Sequence, residues 1–391
     1  MREVLPELHR WWHDGAVVAL ATVVATYRSA PRPPGACMLV GPDGSAVGSV
    51  SGGCVEGAVF ELGHQVRAGG SPVLQRYGIS DELAESVGLT CGGVLEVFVE
   101  RCDRDLFPEF GELSAAIEQA EPVALATVVT GPQSGCHLLV YGETPGEPRR
   151  RSGSLGSPRL DDAVSDDALG LLAHGRSAML RYGPAGERRG EGLDVFVSAF
   201  AAPPRMIVFG AIDFAAALAR IGTFLGYRVT VCDARPVFAT ARRFPEAAEV
   251  VVDWPHRYLA AEAARGALDE RAVLCVLTHD PKFDVPLLQV ALTLPVTYVG
   301  AMGSRRTHDD RLNRLRAAGL TPDQLARLSS PIGLDLGART PEETAISIAA
   351  EIISRQWRGA GRPLSELAGP IHHSMLGPVP RPADASRPGP G

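Results

Sequence analysis

The residues best suited to chemistry in this 391-residue chain are Gly48-Ser-Val-Ser51-Gly52-Gly53-Cys54-Val-Glu56. A thiol stands at the end of a glycine-rich turn, with a carboxylate two residues on. Glycines at 52 and 53 permit backbone angles closed to other residues and let a ligand approach the main chain. Successive amides in such a turn form an anion-binding nest. Polarised amides, or a helix N-terminus, favour the thiolate of Cys54. The structural alternative is a tight turn around a small buried cysteine. A second glycine loop, Gly88-Leu-Thr-Cys91-Gly92-Gly93, carries another thiol.

The elements around these loops are legible from periodicity. Residues 2–13 read as a short amphipathic helix and the apolar run 17–25 as a buried strand. That run has the look of a signal-peptide core, but it follows acidic residues and is too short to cross a bilayer. Further strands are expected from Cys37, at 73–77 and at 94–100, with a helix over 55–68 opening directly from the Cys54 loop. Residues 101–120 read as a polar helical bridge.

Self-comparison gives the clearest organising signal. Val18-Ala-Leu-Ala-Thr-Val-Val24 recurs as Val123-Ala-Leu-Ala-Thr-Val-Val129, an offset of 105. The same offset places Gly48-Ser49 on Gly153-Ser154 and Arg76-Tyr77-Gly78 on Arg181-Tyr182-Gly183. An internal duplication over 16–100 and 121–198 follows. The second copy keeps the strands but replaces Ser51-Gly-Gly-Cys54 by Gly156-Ser-Pro-Arg159, and it lacks the Cys91 loop. The joint loss of both cysteines ties Cys54 and Cys91 to one candidate site.

Composition narrows the function classes. Hydrophobic residues make up 45%, charged residues 21%, and the formal net charge is −7. Neither nucleic acid nor a membrane is an expected main partner. Seven scattered cysteines without a C-x-x-C pair speak for a reduced, cytoplasmic protein without structural zinc. Lys282 is the single lysine, so Schiff-base or Walker-type chemistry has only that candidate.

After Ala201-Ala-Pro-Pro204 the pattern changes to strands alternating with helices, the signature of a doubly wound parallel sheet. Strands are expected at 205–209, 228–232, 249–253, 272–278 and 296–300. Met206-Ile-Val-Phe-Gly210 sits where a dinucleotide fingerprint belongs, and Asp233, ending the second strand, suits a ribose hydroxyl. Arg235 suits a base or a phosphate. Ile212, however, replaces the second fingerprint glycine, which damages an NAD(P) site. Thr278-His279-Asp280 and Gly300-Ala-Met-Gly303-Ser304-Arg305 fall at carboxyl ends of strands, the ligand edge of such sheets. Arg305 at a helix N-terminus suits a phosphate. Thr340-Pro-Glu-Glu343 is a helix N-cap with proline in the first turn. From Ile371 the chain is rich in Pro and Gly and is expected to be disordered. The resulting domains are 1–200, 204–369 and a tail over 370–391.

Together these pieces resemble the xanthine dehydrogenase accessory family, XdhC/CoxI. The motifs are Pro31-Arg-Pro-Pro-Gly35, Gly48 to Glu56, Gly88 to Gly93, Gly300-Ala-Met-Gly-Ser304 and Gly333-Leu-Asp-Leu-Gly-Ala-Arg-Thr-Pro-Glu-Glu343. The resemblance covers most of residues 10–370. It implies an α/β protein: a duplicated α+β cofactor-handling domain, then a Rossmann-like domain. It also implies a protein that binds molybdenum cofactor, protects it and delivers it, sulfurated, to a xanthine dehydrogenase-type molybdoenzyme. A cysteine desulfurase is a further partner on this reading, and the assembly a homodimer. Cys54 would contact molybdenum or its terminal sulfur, with Cys91 nearby. A soft thiolate suits either role, glycine-loop amides suit the pterin phosphate and ring edges, and Glu56 would accept from pterin N–H groups. Family members usually carry Gly-x-Gly-His after the first Rossmann strand, where this chain has Gly210-Ala-Ile-Asp213. An NAD(P)-dependent oxidoreductase, and a docking protein without small-molecule chemistry, remain the alternatives.

Overall fold

The computed structural model describes residues 1–27, 32–78, 93–143, 148–188 and 190–368. Cys91, Gly92 and the tail from 370 lie outside them, and so do the expectations placed there. After a short helix α1 (Leu5–His13), the first copy runs β1 (Val18–Tyr27), β2 (Cys37–Val40), β3 (Ala46–Gly48), α2 (Glu56–Arg67), β4 (Val73–Gly78) and β5 (Val94–Cys102). Helix α3 (Phe110–Glu118) leads into the second: β6 (Val123–Val128), β7 (His137–Tyr141), β8 (Arg151–Gly153), α4 (Pro158–Ala173), β9 (Ala178–Tyr182) and β10 (Leu193–Phe200). Each copy is an antiparallel five-stranded sheet, ordered β3-β2-β1-β5-β4 and β8-β7-β6-β10-β9. The two orders are the same element for element.

Side-chain alternation along β1 explains how the copies stack. Ala19, Ala21 and Val23 point to one face, where they pack with Val55, Val59 and Val66 of the α2 region. Val18 and Leu20 point to the other, joining Val123 and Leu125 of β6 in a shared core. Farther along, Val24 and Phe98 meet Val129 and Phe196. The layers therefore run α2, first sheet, second sheet, α4, and β1 is buried on both faces, as its unbroken apolar run requires.

The expected polar bridge is corrected. Phe107, Phe110, Leu113 and Ile117 recur at helical spacing, and the first three are fully buried in the core between the sheets. Its exposed residues hid an apolar stripe. Between the copies also lies a buried hydrogen bond, Glu100 Oε2 to His137 Nε2 at 3.0 Å, with the imidazole stacked on Phe107.

The second domain contains β11 (Arg205–Phe209), α5 (Asp213–Phe224), β12 (Arg228–Asp233), β13 (Glu249–Val252), α6 (Pro255–Ala264), β14 (Val273–Val276), α7 (Pro281–Ala291), β15 (Tyr298–Ala301), α8 (Arg305–Ala317), α9 (Pro322–Ala326), β16 (Leu328–Ser329) and α10 (Pro341–Trp357). All six strands are parallel, in the order β13-β12-β11-β14-β15-β16. Counted from β11, this is the 3-2-1-4-5-6 order of the Rossmann fold. The sixth strand, of two residues, was not anticipated, being too short for a periodicity signal. Thr340 caps α10 reciprocally with Glu343, as its sequence indicates.

Phe196→Ala removes a ring shared by both sheets and should cost about 3–5 kcal/mol. Hydrogen exchange checks the consequence: amides of β1 and β6 should lose protection together, because each sheet is the other's inner wall.

Candidate functional site

The Cys54 loop spans the gap between β3 and α2. Gly52 and Gly53 have φ of +76° and +119°, and open space lies on the side where a Cβ would project from either. The glycines are therefore demanded by the backbone path, not by a close neighbour. Cys54 is half-buried against the core under α2.

Glu56 organises the loop. Oε1 accepts from Ser49 Oγ (2.6 Å), Val50 N (3.2 Å) and Ser51 N (2.8 Å), and Oε2 from Ser51 Oγ, Gly53 N (2.8 Å) and Val55 N (3.2 Å). Gly52 N donates to Ser49 Oγ and Cys54 N to Ser51 Oγ, at 2.8 and 2.9 Å. Every amide from Val50 to Val55 thus has its acceptor inside the loop. The nest expected to receive a ligand phosphate holds the chain's own carboxylate instead. Burial works against that charge, but the Ser49 and Ser51 hydroxyls and the amides outweigh it, lowering the Glu56 pKa to about 2.

The second copy shows what this arrangement changes. Asp161, 105 residues after Glu56, accepts from Ser154 Oγ (2.8 Å) and Leu155 N (2.7 Å), so the carboxylate staple is common to both copies. There, however, Ser157 caps the helix and Pro158 opens it, so that α4 begins three positions earlier than α2 relative to the repeat. Residues 157–160 make a cap and first turn where residues 52–55 make an open loop. The paired glycines replace a helical turn by a loop and bring a thiol to the place of Arg159. Sequence reading missed Ser49 and Asp161 as partners, although the offset that matched Ser49 to Ser154 reaches Glu56 and Asp161 seven residues on.

Gly78 and Tyr27 both pair with Val94 at one end of the first sheet, next to Gly93, whereas Gly48 lies on the opposite edge strand and pairs with Met38, whose partner Ala21 is six residues before Tyr27 along β1. Cys91 and Gly92 themselves lie outside the described residues. Among the described residues no group of three or more His, Cys, Asp or Glu is placed to hold a metal ion.

The second-domain candidates stand at a different edge, the carboxyl ends of β11 to β15. Gly210 has φ +111°, and a Cβ there would lie 3.1 Å from Leu277 C and Thr278 N, so glycine lets the exits of β11 and β14 close together. Asp233 is buried. Its carboxylate accepts from Ala211 N (2.7 Å) and from Arg235 N, Nε and Nη2 at 2.8–3.0 Å. Burial opposes its charge, and the Arg235 bonds, with the Ala211 amide, hold its pKa below the usual value. The oxygens proposed for a ribose are engaged, and Ile212 packs against the core. His279 is exposed. Gly300 lies inside β15, where a Cβ would strike Ile332, Gly303 has φ +154°, and Ser304 caps α8 through Thr307 N at 3.1 Å. Arg305 is exposed at the start of that helix.

One buried pair went unread. Arg311 bonds Asp284 Oδ2 (2.9 Å), Met302 O (2.8 Å) and Ser330 Oγ (2.9 Å), while Thr278 Oγ1 also donates to Asp284. It rivets the exits of β14, β15 and β16 together. No local pattern announces it, because the three partners of Arg311 come from three separate segments.

Two outcomes follow. Arg311→Ala leaves Asp284 buried without its counter-charge and should cost about 3–5 kcal/mol in denaturant unfolding. Glu56→Ala orphans loop amides and should cost about 1–3 kcal/mol. Because the folded pKa is depressed from 4.5 to about 2, the Glu56 contribution is complete above the ordinary value and is lost as pH falls through about 2. A carbon-detected NMR titration of Glu56 should therefore show no midpoint near 4.5, and one there would contradict the latch.

The comparisons agree with this architecture. The XdhC and CoxI family description matches residues 11–78 and 116–183, stretches whose ends are again 105 apart. The XdhC Rossmann domain matches residues 206–352. A Bacillus subtilis protein named as a probable xanthine dehydrogenase subunit is 27% identical over 360 residues, covering 89% of this chain and 96% of that one. A molybdenum cofactor insertion chaperone of Escherichia coli, PaoD, is 26% identical over 341 residues, covering 87% and 84%. The crystal structure of a xanthine dehydrogenase from Bacillus halodurans shares the fold at a TM-score of 0.63 and 24% identity, covering 90% of this chain and 95% of that one. By both of its domains, this chain belongs to the XdhC and CoxI family.

Proposed function

We propose that this protein is an accessory factor for molybdenum cofactor, binding it in the first domain and delivering it, sulfurated, to a xanthine dehydrogenase-type molybdoenzyme. The observation that carries the reading is the latched loop of the first copy. A fold used twice has, in one copy only, exchanged a helical turn for a rigid loop that holds a thiol beside two exposed glycines. A relative named as a molybdenum cofactor insertion chaperone supports the same reading.

On this reading the cofactor is cargo. Cys54 would meet molybdenum or its terminal sulfur, since a thiolate is a soft ligand. The uncovered main chain of Gly52 and Gly53 offers a flat surface for a planar ring. Glu56 holds these groups in place, with its lone pairs already taken by the loop. Cys91, in the sequence between β4 and β5, would be the second thiol. A cysteine desulfurase is the proposed sulfur donor, the cytoplasm the proposed compartment, and the boundaries 1–200 and 204–369 the proposed division of labour. Among the described residues no helix is long and apolar enough to cross a membrane.

The oxidoreductase reading keeps the sheet order but loses two contacts that a dinucleotide needs, at Ile212 and Asp233.

The test is retention. The protein is incubated with cofactor released from a molybdoenzyme, passed over a sizing column, and assayed for pterin fluorescence after oxidation. Wild type should co-elute with pterin and reconstitute a cofactor-free target, and Cys54→Ala should lose most of both. Unchanged retention and transfer in Cys54→Ala would overturn the role of the thiol. Calorimetry with NAD should give no saturable heat, and tight binding abolished by Asp233→Ala would instead favour the oxidoreductase.

A further inference from the structure

Helix α10 has two apolar faces, and among the described residues only one is covered. Ala345, Ile348, Ala349 and Ile352 are buried, and the helix packs beside α5. On its outward side Ile346, Ala350, Ile353 and Trp357 follow one another at steps of four, three and four residues. Ile346, Ile353 and Trp357 are 52%, 42% and 48% exposed. That spacing is the seam of a helix pair, and a helix on the surface of one globular domain needs only a single apolar stripe. The neighbouring α5 ends in Phe224, which is 85% exposed.

The charges on α10 say which partner fits. Its first turn carries Glu342 and Glu343, its last turn Arg355, and its C-cap is Arg358. An antiparallel copy of the same helix would bring acidic end to basic end at both extremities and oppose the two helix dipoles favourably. A parallel copy would set like charges together. In the antiparallel register Ile346 faces Trp357 of the other copy and Ala350 faces Ile353, so one patch complements itself, as a two-fold interface requires. The small Ala350 near the centre lets the two backbones approach.

We propose that a second copy of this chain docks on this face, α10 against α10, antiparallel about a two-fold axis. The surface is chosen by spacing and charge, and it stands or falls independently of what the first domain binds.

Sedimentation equilibrium of the full chain, without cofactor, is the first measurement. Wild type should be a dimer at micromolar concentration. Ile353→Glu should raise the dimer Kd by on the order of 30-fold or more, as expected for a central contact, with an unchanged circular dichroism spectrum. Cross-linking then fixes the direction. Ile346→Cys combined with Trp357→Cys should form a disulfide-linked dimer under a mild oxidant, beyond any formed by wild type, whereas Ile346→Cys alone should not. A monomeric wild type, or a dimer indifferent to Ile353→Glu, overturns the interface. Cross-linking by Ile346→Cys alone overturns the antiparallel arrangement.

Discussion

A single carboxylate, that of Glu56, sets the shape of the loop that carries Cys54. Six donors converge on its two oxygens, four of them backbone amides that a positive-φ glycine path would otherwise leave facing outward. An unmade bond to such a donor is expensive, whereas a charge-assisted one is stronger than average. The loop therefore has one shape before any ligand arrives, and the position of Cys54 is part of it. Preorganisation of this kind spares a ligand the cost of ordering the chain.

The same device recurs at other loops and strand exits. Asp161 holds the loop of the second copy, Asp233 takes the amide of Ala211, and Glu351 takes the amide of Gly333 while Tyr298 donates to it. In each case a buried or half-buried acid supplies from within the negative charge that an anionic ligand would bring from outside. Glycine-rich turns and strand-end acids thus look alike in sequence whether they bind ligands or brace loops.

That ambiguity marks where the sequence stopped being informative. The duplication was legible because identical strand segments recur at a fixed offset, and the parallel sheet because strands and helices alternate at their proper periods. The open loop against the helical turn was legible in outline, since Gly52 and Gly53 face Ser157 and Pro158 in the repeat. The occupant of the amide nest was not, because only geometry shows that Glu56 turns back rather than outward. The Arg311–Asp284 rivet and the Glu100–His137 pair join residues with no local signature, and β16 is too short to have a period. Helix α3 was misread because its charged residues are exposed while four apolar ones face the core.

The pairing of the two sheets has a consequence for the protein at low abundance. Phe98, Phe196 and the flanking valines form a contact of the kind that joins separate chains in an oligomer, yet both sides belong to one chain, tethered by the short segment containing α3. Its strength is governed by an effective local concentration, on the order of millimolar for a short connection, instead of by the amount of protein present. The inner wall behind Cys54 therefore does not come apart on dilution, and the first domain stays assembled even when few copies are made.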